Sequence, residues 1–534
     1  MNKRIFIGGA WPYANYNMHI GHLAALLPGD IIARYFRQHG DEVLYVSGTD
    51  THGTPITEAA RKQNISPEVI AHKYHESDVN DFNDLDFSYD NYSATYMDSH
   101  KNMVKDIFKL INENGYLYEK NKEQVFCEHC NKFLSDREIG GVCPVCGKKM
   151  KGDQCDSCLS TFDTSEILDK NCLICSNKTV LKMNKELVFS LSKFQDRITE
   201  YSKQVEKYWR TNAINETAKY LSMGLPDRDA TRSLPWGIEV PFDGYSEKRI
   251  YVWFEAVLGY LTSGREAAEK AGIDFDEFMK DDGSLETYYV HGKDNIPFHT
   301  VIFPALIMAM KKDIQLPRHI ISSEYVNIED EKMSKSVGNL ITIRELIDEF
   351  DSDTIRFYFI FNNPERKDVS YKRADLIAYH NKFLVGGLGN FINRNLSYIM
   401  KKFEGKVPNG IVDDSIRENT RKAYESIGEK IAAGSLRSAL EDMLLYVQDA
   451  NKYYDSKQPW IQVKNEDLTD FNNTTATCLY MIANISNIFA PIIPRGCAKI
   501  REMIQIDQEL SWGEVNIKSD LILNNIEILY EKFN

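Results

Sequence analysis

Apolar and polar positions along this chain fall into three regimes. Ile5 to Gly9 is a short unbroken apolar run, the pattern of a strand buried on both faces. A turn at Ala10-Trp11-Pro12-Tyr13-Ala14-Asn15 follows, and helical periodicity opens near Gly21-His22 and runs toward Gly40. Pro28-Gly29 lies inside that helix and predicts a kink or a split there. Glu42 to Gly48 is a second strand, ending at Thr49-Asp50-Thr51-His52-Gly53. Strand, loop, helix, strand is the opening of a doubly wound parallel sheet, where ligands bind beyond the carboxyl ends of the strands. From about 116 to 245 the rhythm breaks into a cysteine-rich and then charged helical segment. Strand and helix patterns resume near Ile250 and Tyr288, and His319 to Ser323 is the last strand signal. From Asp375 onward, long amphipathic stretches such as Leu436 to Tyr453 predict a helical bundle.

Length and composition refine this picture. A chain of 534 residues is too long for one core, which predicts three or four domains. Hydrophobic content of 43% with 27% charge is that of a soluble globular protein. The N-terminus enters a strand directly, so no signal peptide is expected, and no apolar run is long enough for a membrane span. The cytoplasm is the expected compartment. A net charge of −14 argues against indiscriminate nucleic-acid binding but leaves room for a local basic groove.

Eight of the ten cysteines form four Cys-x-x-Cys pairs: Cys127/Cys130, Cys143/Cys146, Cys155/Cys158 and Cys172/Cys175. A chain with no export signal has little use for disulfides. A pair with two residues between offers both thiolates to one metal, and two pairs complete a tetrahedral site. Buried free thiols or a redox motif would be the alternatives. Spacing alone permits nested or sequential pairing of the four knuckles. Cys478 and Cys497 stand alone in apolar helical sequence and read as core.

Two further motifs carry chemistry. Lys332-Met333-Ser334-Lys335-Ser336 places two ammonium groups and two hydroxyls on one loop, suited to a polyphosphate. Far upstream, His19-Ile20-Gly21-His22 opens a helix, where free N–H groups and the positive dipole end suit an anion. In this order the two resemble the signature motifs of class I aminoacyl-tRNA synthetases. Four more blocks resemble the methionyl-tRNA synthetase family: Ala10 to Asn15, Gly48 to Pro55, Tyr251-Val252-Trp253-Phe254-Glu255-Ala256, and Gly292-Lys293-Asp294-Asn295-Ile296-Pro297-Phe298-His299. The likeness runs from about residue 4 to about 534. A short insertion filled with knuckles, rather than a large editing domain, favours this family over the leucine, isoleucine and valine enzymes.

The resemblance implies ATP-dependent attachment of L-methionine to tRNA(Met), initiator tRNA included, through a methionyl-adenylate. It implies an α/β catalytic domain with a doubly wound, Rossmann-like sheet, split over 1–115 and 246–324. A connective insertion with zinc knuckles would span 116–245, a lysine loop and stem-contact region 325–374, and a helical anticodon-binding domain 375–534. His19, His22, Lys332 and Lys335 would be catalytic. Gly21, His22, Gly292, Asp294, Val326 and Lys335 would bind ATP with its Mg. Ala10, Trp11, Tyr13, Asp50, Trp253, Ala256, Tyr260, Asn295 and His299 would hold methionine. Asp50 would take the substrate ammonium, and aromatic rings would contact the thioether. The alternative for Trp253 and Tyr260 is that they are simply core, since seven apart on a helix they share a face. Trp11 stands where leucine is frequent in the family, and Asn295-Ile296-Pro297 replaces a more apolar run. Two structural zinc ions are implied in nested pairing, Cys143, Cys146, Cys155 and Cys158 inside Cys127, Cys130, Cys172 and Cys175. Asn390, Arg394 and Trp460 would read the anticodon, Trp460 by stacking. The chain ends about where the helical domain does, which implies a monomer. Another class I synthetase, or a non-catalytic zinc protein that binds RNA, are the other readings.

Overall fold

The computed structural model describes residues 3–135, 138–152, 155, 157–158, 164–331, 339–518 and 521–534. Five parallel strands form its central sheet: β1 (Arg4–Gly9), β2 (Glu42–Thr49), β3 (Asn91–Ala94), β4 (Leu285–Gly292) and β5 (His319–Ser323). Their order is β5-β4-β1-β2-β3, so the chain reverses direction of travel between β1 and β4. That reversal opens a crevice at the carboxyl ends of β1 and β4, the ligand-binding place of such sheets. The α/β, doubly wound expectation holds. β3 carried no clear sequence signal, because Asn91 to Ala94 is short and half polar.

Helix α1 (Ile20–His39) runs unbroken through Pro28, contrary to the expected interruption. Proline removes the N–H that Ala24 C=O would receive, and the Ser323 hydroxyl donates to that carbonyl instead, at 3.5 Å. Gly29 lets the helix lie close on the sheet: a Cβ there would come 2.9 Å from Val290 and 3.0 Å from Tyr45.

Between the strands, an insertion projects from the sheet. Its arms, Leu117–Cys127 and Val180–Phe189, pair antiparallel along a ten-residue ladder from Leu117↔Phe189 to Phe126↔Val180. A small sheet of Ile139–Val142, Lys149–Lys151 and Leu168–Cys172 sits at their tip. After β5 the chain becomes helical, including Ser352–Phe361, Asn390–Phe403, Asp414–Ala432, Leu436–Lys457 and Leu468–Ile488.

One apolar core joins the inner face of the sheet to these helices. It includes Ile5, Ile7 and Leu27 together with Ile355, Tyr424, Leu440 and Ile482. Within it lies a fully buried ion pair, Arg356 Nη2 to Asp30 Oδ2 at 2.6 Å. Arg356 also donates to the carbonyls of Leu85, Pro491 and Ile492. Burial would raise the Asp30 pKa, but Arg356, Arg34 and Ser88 overcome it and hold the carboxyl well below its ordinary range.

Candidate active site

The crevice is built from four segments. At the N-terminus of α1, His19 is the N-cap, and its Nδ1 accepts the Gly21 N–H at 3.1 Å. His22 Nδ1 accepts the His19 N–H at 3.3 Å. With both Nδ1 atoms accepting, each neutral ring carries its proton on Nε2 and presents a donor. The rings stack at 3.9 Å. Backbone pairing then fastens the segment that follows the lysine loop to this helix start: Ile20 N–H donates to Ile341 C=O at 3.1 Å, and Ile343 N–H to Met18 C=O at 2.9 Å. Lys332 and Lys335 lie outside the described residues.

Asp50 opens the second segment, the loop after β2. It is 3% exposed, and its Oδ1 accepts the His52 N–H at 3.2 Å. Burial first, then the nearby Glu255 carboxylate, push its pKa well above the ordinary carboxylate range. Tyr13 is held beside it, since Ala14 N–H donates to Asp50 C=O and Asp50 N–H to Pro12 C=O, both at 2.8 Å. The Tyr13 hydroxyl accepts the Trp253 indole N–H at 3.0 Å.

Trp253 to Tyr260 form the third segment. Trp253 and Tyr260 do not share a helix face. A 3₁₀ turn over Ala256–Leu258 separates the short helix Val252–Glu255 from Gly259–Ala271. Trp253 is therefore 48% exposed while Tyr260 is 2% exposed. The Tyr260 hydroxyl lies 2.7 Å from His299 Nε2, and His299 Nδ1 lies 2.8 Å from Asn295 C=O. The carbonyl requires Nδ1–H, so Nε2 accepts from the tyrosine. Burial pulls the His299 pKa down to about 4, which keeps this ring neutral.

Trp11 sits between the second and third segments. Cβ atoms on Gly48 and on Gly259 would each come 2.6 Å from its indole. The ring occupies the space that two missing side chains leave. Ala10 N–H donates to Val290 C=O at 2.9 Å, which ties the same loop to β4.

The fourth segment continues from Gly292 at the end of β4. Asp294 is exposed and accepts the Tyr325 hydroxyl. Val326, next in sequence, is buried in a short strand, Val326–Ile328, paired with Val369–Tyr371. Lys293 bonds Glu324 at 2.7 Å and Asp368 at 2.8 Å, which fixes this wall.

The eight clustered thiols gather elsewhere, as two nested groups. Cys127, Cys130, Cys172 and Cys175 form one, and Cys143, Cys146, Cys155 and Cys158 the other, with each group's sulfurs within 4.8 Å of one another. Cross-pair separations are 3.5 to 3.9 Å. A Zn–S bond of about 2.3 Å gives a tetrahedron edge of about 3.8 Å, so both groups fit that ion. The N–H of Cys130 points at Cys127 Sγ and that of Cys146 at Cys143 Sγ, at 3.4 and 3.5 Å. Sequential pairing is not what the fold adopts.

In the helical part, Arg394 lies one turn after exposed Asn390 on Asn390–Phe403. Its guanidinium bonds Asp455 at 2.8 Å and lies 4.7 Å over the Tyr454 ring and 5.9 Å over Trp460. Trp460 is 38% exposed at the start of Pro459–Lys464. The three predicted anticodon positions thus converge on one surface, more than 50 residues beyond the sheet's last strand in sequence.

Sequence reasoning assigned no role to His52, His100 and Glu255. Glu255 is fully buried, with Oε1 2.8 Å from His52 Nδ1 and Oε2 2.8 Å from His100 Nε2. The available signal was His100 on the apolar stripe of Asp98–Glu113, shared with Val104, Ile107, Phe108 and Ile111.

Comparison with known proteins shows the family and the fold. The family model described as "tRNA synthetases class I (M)" matches residues 5–396, and "Anticodon binding domain of methionyl tRNA ligase" matches 408–526. A methionine–tRNA ligase of Alkaliphilus oremlandii is 42% identical over 532 residues, covering 99% of this chain and 97% of that protein. One from Streptococcus pneumoniae is 42% identical over 533 residues, covering 99% and 96%. The solved structure of Mycobacterium tuberculosis methionyl-tRNA synthetase in complex with methionyl-adenylate shares the fold, with a TM-score of 0.81 at 23% identity over 99% of both chains.

Proposed function

The chain belongs to the methionyl-tRNA synthetases, class I ligases that join methionine to tRNA, and we propose how its own residues divide that reaction. A methionine carboxylate oxygen attacks the α-phosphorus of ATP and pyrophosphate leaves. A ribose hydroxyl of the tRNA's terminal adenosine then attacks the methionyl carbonyl and AMP leaves. No protein nucleophile is needed, so catalysis is positioning and charge stabilisation.

The observation that carries the assignment is Asp50, a carboxylate buried beside Tyr13 at the crevice of the sheet. It binds the ammonium of methionine. The thioether lies against Trp253, Ala256 and Tyr260, and Tyr260 orients neutral His299 near it. Asn295 fixes His299 through its carbonyl. His19 and His22 donate from Nε2 to the phosphates, with the α1 N-terminus and Gly21 beneath them. Gly292, Asp294 and Val326 hold the nucleoside. Lys335, assisted by Lys332, neutralises the departing pyrophosphate. Mg travels with the ATP phosphates. Zinc in the two four-cysteine groups is structural, because four thiolates leave no position for water. Asn390, Arg394 and Trp460 read the anticodon, in initiator tRNA as in elongator. No described helix is long and apolar enough to cross a membrane, and we assign the enzyme to the cytoplasm as a monomer.

Amino-acid-dependent ATP–pyrophosphate exchange across the standard amino acids tests this reading. Exchange is expected with methionine alone. Equal exchange with leucine or valine, or none at all, would refute it.

A further inference from the structure

Asp50 does not face its substrate alone. His52, two residues on, donates its backbone N–H to Asp50 Oδ1 at 3.2 Å and turns its Nδ1 to Glu255 Oε1 at 2.8 Å. The other Glu255 oxygen lies 2.8 Å from His100 Nε2. His100 Nδ1 is 3.1 Å from the Thr262 hydroxyl, which locks the ring from its far side. His52, His100 and Glu255 are 2%, 0% and 0% exposed. A carboxylate sealed this deeply stays ionised only if both oxygens are satisfied and a positive or polarisable partner is at hand. Here each oxygen has its own imidazole.

The placement gives this unit a purpose. Glu255 lies between Trp253 and Ala256, two methionine-pocket residues, and Trp11 packs 5.9 Å from the His100 ring. The unit thus ties the loop after β2, the Trp253–Ala256 turn and helix Asp98–Glu113 into one wall.

We propose that His52 and His100 are positioning residues that keep Glu255 charged behind Asp50, so that the pocket offers a two-carboxylate field selective for the ammonium form of its amino-acid substrate. This deepens, and rests on, the assignment of Asp50 to the methionine amine. The titratable groups facing the two carboxylates are His52 from the loop that also carries Asp50, Tyr13 from the loop after β1, and His100 from Asp98–Glu113. Tyr251 faces Tyr13. Burial opposes ionisation of Glu255, but His52 and His100 hold it below the ordinary range.

The sign follows from linkage. Methionine binding needs ionised Asp50, so affinity falls as pH drops through its raised pKa. Glu255→Gln removes the neighbouring negative charge, lowers the Asp50 pKa and moves this acid limb to lower pH. His100→Gln lets Glu255 take up a proton and moves the limb the same way. In the double variant the two shifts do not add, because one charge is lost either way.

The test is methionine binding to the full chain without ATP, read by tryptophan fluorescence across pH 4 to 9, with circular dichroism as a check on folding. Expected are an acid limb lower by about one pH unit in E255Q and H100Q, and affinity at pH 8 weaker by about fivefold or more. The amine-free analogue 4-(methylthio)butanoate should lose no affinity. An unmoved limb with affinity lowered equally at every pH would overturn the proposal and leave a structural brace. Should E255Q fail to fold, H100Q decides by the same limb. Asp50→Asn separates the premise: if it leaves methionine affinity unchanged, the Asp50 assignment itself is wrong, whereas loss in D50N with no shift in E255Q refutes the Glu255 role alone.

Discussion

Trp11 shows how a single side chain can depend on the absence of two others. Its indole fills the space over Gly48 and Gly259, so Gly259→Ala would drive a Cβ to 2.6 Å from the ring. Overpacking of this kind costs about 1–3 kcal/mol, and the ring stands in the proposed methionine pocket. Gly259→Ala should therefore raise the KM for methionine by about tenfold with ATP binding unaffected. Trp11→Leu should restore it, since leucine leaves the space free. Exchange kinetics on the two single variants and the double variant measure the coupling; additive effects would mean the ring does not depend on the glycine. At this scale the sequence was legible where chemistry is local. His19, Gly21 and His22 cap one helix, and the cysteines announce themselves by spacing. It was silent on Glu255, because its two partners come from separate elements and nothing local marks them as partners. The seven-residue spacing of Trp253 and Tyr260 misled, because a 3₁₀ turn resets the helical phase between them.

Elements explain what residues alone do not. The long arms Leu117–Cys127 and Val180–Phe189 lead to the outer cysteines, with Cys127 ending one arm and Cys172 ending a strand of the small sheet at the tip, while the inner four lie outside the strands of that sheet. Its buried cluster is four thiols with Val125, Leu134, Ile139, Met150 and Ile167, too little apolar surface to hold the tip without metal. Cys146→Ser should thus release one of two zinc ions and disorder the inner half, leaving the arms paired. Elemental analysis together with amide exchange would show it; retention of two zinc ions would be inconsistent with the fourth-ligand role. The apolar run at Ile5 to Gly9 and the signal at His319 to Ser323 reported their strands faithfully, because both are buried on two sides. Pro28 does not split its helix, and Ser323, far away in sequence, donates to the carbonyl whose hydrogen bond proline removes.

Across the whole molecule, the two ends of the reaction are separate in sequence and joined in packing. The proposed adenylate site lies at the sheet crevice, while Trp460 and Arg394 form their own surface on the helices. Trp460→Ala should cut tRNA charging by roughly 5- to 150-fold, the loss of one stacked base, and leave ATP–pyrophosphate exchange unchanged. Both activities measured on one preparation decide the matter, and equal losses would make Trp460 a packing residue. The sequence disclosed this division as a change from alternating strands to amphipathic helices near Asp375. It did not disclose that one core runs through both, since that depends on which apolar faces meet.

The Arg356 junction bears on the order in which the protein can be made. Asp30 emerges from the ribosome 326 residues ahead of Arg356, and Arg356 a further 136 ahead of the Ile492 carbonyl that completes its shell. Domains generally fold from the N-terminus as they are synthesised. Here the first helix of the sheet keeps a carboxylate waiting through most of translation, and its partner arrives still short of acceptors. A nascent chain halted between Arg356 and Pro491 therefore carries an open seam beside its parallel sheet, and the Pro491 and Ile492 carbonyls are what close it.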